Sequence, residues 1–172
     1  MQINKNRGVF SIEMAFVLIG MSACLYFCFD LGYQQIRKSQ LERVSYSLVS
    51  VLKERTLFYQ QKQPVDGKQV AQLHKIAARL LNTSPERVAI NVDYRIGKTQ
   101  RINQSQRHGF TCESQGKLNQ KFDVALEKTG EFAPVYQVTV CQKIPAWFER
   151  VIGKDIDNDE RVIKAQSTFM GR

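Results

Sequence analysis

Sixteen uncharged residues, Met14 to Phe29, lie close to the start of the chain and are entered through a single carboxylate, Glu13. Counted from Val9 the apolar stretch reaches Phe29, and wound as a helix it spans about 30 Å, the thickness of a bilayer's hydrocarbon core. Such a segment must be covered by lipid or by other protein. The chain has 172 residues, so what remains after the segment and its extension is enough for one modest core. A carboxylate inside an apolar span is costly, so Glu13 needs either a compensating charge or a place at headgroup level.

The flanks of the run carry a motif. Arg7-Gly8-Val9-Phe10-Ser11-Ile12-Glu13-Met14 places one glycine after two basic residues, Lys5 and Arg7, and a glutamate five positions beyond the glycine. This resembles the processing site of prepilins, and the short leader and chain layout resemble the TadE/TadF-type minor pilins of tight-adherence (Flp-type, type IVc) pili. The resemblance implies cleavage by a prepilin peptidase after Gly8, with Val9 as the first mature residue. It also implies that Glu13 neutralises the new N-terminal ammonium of a neighbouring subunit, which relieves two charges in a low-dielectric bundle and fixes axial register. The common pattern has Phe directly after the glycine; here Val9 intervenes and Phe10 follows.

Three other targeting readings compete. Met21-Ser22-Ala23-Cys24 resembles a lipobox, but the apolar run continues past Cys24 to Phe29 and contains Glu13. The same two features disfavour a plain secretory signal. An uncleaved single-pass anchor is the stronger rival. Lys5 and Arg7 then hold the N-terminus in the cytoplasm and leave the bulk of the chain periplasmic, although Arg37 and Lys38 weaken the charge asymmetry.

Beyond Asp30 the helical pattern persists. Ile36, Leu41, Val44, Leu48, Val51 and Leu52 recur at three- and four-residue spacing, and no proline occurs before Pro64. One helix is expected from about Ser11 to Tyr59, first apolar and then amphipathic, its second half covering the domain's own sheet or a partner helix. Gln63 to Gly67 breaks it, with Asp66 as cap of a second helix striped by Val70, Leu73, Ile76, Ala77, Leu80 and Leu81. His74 falls beside that stripe and is expected at the surface or its boundary. After Pro85 the period changes to two: 88–96, 121–126, 136–140 and 163–169 read as strands of an antiparallel sheet with helices on one side. Gly97 to Lys117 reads as a polar, basic loop, and Pro145 to Gly153 as a short helix bearing Trp147 and Phe148.

The net charge is +9, or +7 without Lys5 and Arg7, and it is spread without a dense basic run. Contact with anionic surfaces is expected rather than a nucleic-acid footprint, though a DNA-binding pseudopilin using Arg101 and Arg107 is an alternative. Those two arginines and Trp147 are the candidate partner contacts. Cys24 and Cys28 share one face of the apolar helix and read as packing residues. Cys112 and Cys141 pair as a disulfide if their domain is periplasmic, or remain two separate thiols. Asp155, Asp157 and Asp159 imitate the front of a calcium loop, but Glu160 and Gln166 stand where its glycine and closing glutamate belong. No metal or other cofactor is implied, and no Ser/His/Asp, paired-carboxylate or Cys–His constellation supports an enzyme.

The expected protein is α+β, with a leader at 1–8, a transmembrane helix at 9–30, an amphipathic extension at 31–62 and an extracytoplasmic domain at 63–172. The resemblance implies a role in priming or tipping a tight-adherence pilus, and through it in adhesion and biofilm formation. Its implied partners are prepilin peptidase, other pilin subunits, the inner-membrane assembly platform and membrane lipid.

Overall fold

With no proline to interrupt it, helix α1 runs Asn6–Tyr59, 54 residues, in the computed structural model of the chain. At 1.5 Å per residue it is about 80 Å long. The structure describes residues 6–59, 65–96, 100–106, 109–114, 118, 133–151, 153 and 160–170. Order along the chain continues with α2 (Gly67–Leu80), a 3-10 turn at Pro85–Arg87, β1 (Val88–Ile96), β2 (Gln100–Gln106), β3 (Val135–Pro145), α3 (Trp147–Val151) and β4 (Glu160–Met170).

The four strands form one antiparallel sheet in the order β2-β1-β3-β4. Its central pairs, Ile90 with Val140, Val92 with Val138 and Tyr94 with Tyr136, put one apolar row on the helix side. Against that row pack Leu41, Val44, Leu48, Val49 and Leu52 of α1 and Val70, Leu73, Ala77 and Ala78 of α2. The five α1 side chains alone are worth on the order of 10 kcal/mol at about 2 kcal/mol each, an upper value for burial from an extended chain. Ser45 lies in the same seam and meets Ser167 of β4, oxygen to oxygen, at 2.7 Å.

The second half of α1 therefore covers the domain's own sheet, but two stripe positions do not: Ile36 and Val51 are both about 60% exposed (61% and 59%). Helix α2 is rotated from the expected stripe in the same way. Ile76 and Leu80 face solvent, while His74 is buried and its Nε2 donates to the Val88 carbonyl at 2.9 Å. That bond corrects the surface placement of His74: the ring stands four residues from both Val70 and Ala78 and can enter the core because a strand-start carbonyl satisfies it. Helix α2 begins where expected. The Asp66 amide donates to Gln69 Oε1 at 3.1 Å in a capping arrangement. It ends with Asn82 at φ 48 while Asn82 N–H bonds Arg79 and Thr83 N–H bonds Ala78, a Schellman closure.

The basic stretch read as a loop contains strand β2. Its residues, QRINQSQ, lack apolar alternation because β2 is an edge strand whose ladder to β1 runs through backbone groups. A polar edge also discourages pairing with other chains. Strand β3 is longer than expected, so Cys141 sits inside it rather than at its end. The strand expected at 121–126 lies outside the described residues, as do Arg107 and the aspartates at 155, 157 and 159.

On the sheet's other face Cys112 and Cys141 stand at disulfide distance, Sγ to Sγ 1.96 Å, packed with Ala89 and Phe110. The pair closes a sequence separation of 29 residues, for which chain entropy predicts about 3.5 kcal/mol of stabilisation as an upper value. We expect Cys112→Ser/Cys141→Ser to lose a comparable amount in denaturant unfolding, and equal stability of the wild type with and without reductant would contradict a bridge.

Glu160 opens β4 between the Arg87 guanidinium and Lys143 Nζ, the latter at 3.4 Å. The hydrogen bond from Arg87 is the main force holding its carboxyl below the usual 4.5, with burial opposing and Lys143 adding to the effect. A depressed carboxyl contributes its stability above the unfolded-state value and loses it as pH falls through the folded one. Because the pair is largely solvated, Glu160→Gln should cost roughly 0.5 kcal/mol at neutral pH. That gap should close on acidification through the carboxyl range, which paired thermal melts across pH would reveal.

Candidate assembly site on the N-terminal helix

The N-terminal part of α1 is exposed along its length, up to the last turns, where α3 meets it. Every residue from Phe10 to Phe29 is exposed, with Phe10 at 69% and Phe16 at 70%. Among the described residues this is the one helix long and apolar enough to cross a membrane. Gly8 and Val9 lie in its first turns, so the expected processing position is helical in the full chain. Glu13 follows one turn after Val9, about 6 Å along the axis, and is exposed amid apolar neighbours. Such an arrangement leaves the carboxylate accessible to a second chain and without an ion-pair partner among the described residues. Cys24 and Cys28 are exposed free thiols on the same segment.

The folded domain takes hold of α1 where the apolar run ends. Trp147 of α3 stacks on Phe29 at 5.6 Å between ring centroids and lies 4.6 Å from Tyr33, while Phe148 meets Phe27 edge-on at 4.9 Å and Tyr26 at 6.3 Å. Tyr26, Asp30, Tyr33 and Arg37 follow helical spacing down this face. Arg37 Nε donates to the Tyr33 hydroxyl at 3.0 Å, and its guanidinium lies over the ring. Trp147, a candidate partner contact from sequence, is half-buried here and serves the chain's own junction.

Asp30 is 4% exposed and accepts from Arg161 Nη2 of β4 at 2.7 Å. Arg161 Nη1 donates to Gln34 Oε1 at 2.9 Å, and Glu149 of α3 lies 3.6 Å from Nη2. One guanidinium thus joins α1, α3 and β4. Sequence reasoning marked Asp30 only as the end of the apolar run. Its partner stands 131 residues away, and no local spacing announces such a pair.

The remaining sequence candidates do not converge with this site. Arg101 is in the backbone of β2 at the far edge of the sheet, across β1 and β3 from β4. Among the described residues no group of three or more His, Cys, Asp or Glu is placed to hold a metal ion.

An exposed apolar half-helix with one carboxylate, continuous with a spine clamped to a small antiparallel sheet, is the layout of a pilin. Comparison with protein families matches residues 2–172 to the family described as "Putative tight adherence pilin protein F" (TadF). The chain belongs to the TadF family. No curated protein and no solved structure matches it. The match covers the sheet domain as well as the N-terminal motif, so the resemblance carried by Gly8 and Glu13 extends to almost the whole chain.

Removing the Asp30 carboxylate leaves Arg161 largely buried with weaker acceptors. We expect Asp30→Ala to cost about 3 kcal/mol, the lower end for a broken buried pair because Gln34 and Glu149 remain. A double-mutant cycle of Asp30→Ala with Arg161→Ala, read by unfolding in mild detergent, should show clear coupling; additive effects would mean the contact contributes nothing.

Proposed function

We propose that this TadF-family chain is a minor pilin of a tight-adherence pilus, made as a precursor and cleaved after Gly8 by a prepilin peptidase. Before assembly the mature chain, beginning at Val9, is held in the inner membrane by α1 with its sheet domain in the periplasm. In assembly the bare surface from Phe10 to Phe29 exchanges lipid for the helices of other subunits, and Glu13 takes up the ammonium of a neighbour's first residue. The observation that carries this reading is the exposed Glu13 on an otherwise uncharged and exposed half-helix. A carboxylate there is costly in lipid and becomes favourable when an opposite charge is delivered by another subunit.

The size of the sheet domain supports a priming or tip role over that of the bulk subunit, since a broad head on every helix would crowd a fibre built by close helix packing. The role is structural, with no catalytic step assigned to the chain. The bridge between Cys112 and Cys141 belongs to the same reading, because an oxidising compartment allows it.

The deciding experiment is intact mass and N-terminal sequencing of the protein from native membranes. The mature chain should start at Val9, and Gly8→Pro should accumulate the full-length precursor. A start at Met1 in the wild type would leave a tethered domain, and a lipid-modified start at Cys24 would make a lipoprotein; either overturns the pilin assignment. Glu13→Gln should be processed yet fail to join the pilus fraction.

A further inference from the structure

The junction between α3 and α1 falls at a particular height. From Val9 to Tyr26 the helix rises about 26 Å, and to Phe29 about 30 Å, so these residues meet the far boundary of a hydrocarbon core about 30 Å thick. Tyr26, Phe27 and Phe29 are the residues that α3 touches through Trp147 and Phe148. The domain is therefore seated at the membrane surface instead of being lifted clear of it.

The surface presented at that height is apolar and aromatic. Around the seat Phe27 is 42% exposed, Phe29 60% and Leu31 42%, and Val151 at the end of α3 is 70% exposed. A single exposed valine in a short helix needs no explanation. Here it continues an apolar collar running from the spanning helix onto a second element of the fold. Among the described acids at this level, Asp30 is buried against Arg161, and Glu149 of α3 lies 3.6 Å from the same guanidinium, so neither presents an unanswered charge to the acyl region. Aromatic rings concentrate where acyl chains give way to headgroups, because one edge is apolar and the other tolerates water.

We infer that α3 is a membrane foot. Trp147, Phe148 and Val151 lie in the outer interface of the bilayer beside the end of α1, and the occupant of this patch before assembly is lipid. The inference rests on the proposal that α1 spans the membrane. It adds a second, monotopic contact that fixes the tilt of the sheet domain against the bilayer. Extraction into a fibre would then have to release both the span and the foot.

Trp147 is the only tryptophan in the chain, so its emission reports this site alone. The test uses the full chain in vesicles of phosphatidylethanolamine and phosphatidylglycerol, with and without bromine on the acyl chains near the glycerol. Bromine should remove roughly half or more of the Trp147 emission, as expected for a ring at the interface. Val151→Asp, at a position too exposed to disturb folding, should weaken that quenching markedly; undiminished quenching would overturn the foot as a lipid-inserted face. Cys24, about 22 Å along the helix from Val9, reports the span independently in a Cys28→Ser chain: in a spanning α1 it resists aqueous maleimide until detergent is added. A protected thiol with emission indifferent to bromine would assign the patch to a protein partner and overturn the foot while leaving the span. A thiol reactive without detergent would overturn the span and the foot together.

Discussion

One helix in this protein serves two surroundings, and the Asp30–Arg161 contact marks where they change. On one side of it α1 shows apolar side chains in every direction; on the other it shows a stripe to the sheet and charges elsewhere. A helix that is apolar all round is stable only when enclosed, whereas an amphipathic one is stable on a surface. Joining the two without a break means that the first polar turn must be held in place at the boundary. The guanidinium does this by tying α1 to β4 and α3 at once. Without that tie the seam from Leu41 to Leu52 would still seat the upper helix, but the turn carrying Asp30 would have only ring contacts to orient it.

This junction explains why α3 exists in so small a domain. Five residues are too few to be stable alone, and α3 buries little of its own. What it supplies is two aromatic rings delivered to Phe27, Phe29 and Tyr33 from the loop after β3. Pro145 ends the strand just before it, and Gly153, at φ 81, turns the chain just after it. The element is short because its task is a contact, and a longer helix at the boundary would need a covered face of its own.

How much of this was legible in the sequence follows from how local each cause is. The uninterrupted spine was readable from the missing prolines, and β1 and β4 from their period of two, because propensity and periodicity act over a few residues. Strand β2 was not readable: Gln100 to Gln106 has no alternation, since an edge strand with a polar outer row is specified by its neighbour's backbone. The helix stripes were right in existence and for most of their residues, but drawn too wide. Ile36, Val51, Ile76 and Leu80 obey helical spacing as well as the buried residues do, and only the docking angle on the sheet decides between them. The family resemblance was legible from the spacing of Gly8 and Glu13, and the match over residues 2–172 bears it out. Asp30 with Arg161 was not, because a buried pair between the first and last elements has no sequence distance to betray it.

The placement of three acids, Glu13 and Asp30 on α1 and Glu160 on β4, then acquires a common logic. Glu160 is solvated and paired by two cations, so its charge is settled within the domain. Asp30 is buried, and its charge is settled by Arg161 of β4. Glu13 is exposed in apolar surroundings, and of the three it alone sits where lipid or another chain must answer it. On the proposed function, a carboxylate in that position makes the lone membrane-bound chain less favourable than the assembled one, because assembly brings a cation to it. The apolar surface around Glu13 gains little on leaving lipid for protein, since both are equally apolar. On that proposal the direction of assembly comes from the few polar groups along the span, of which Glu13 is the one charged residue between Val9 and Phe29.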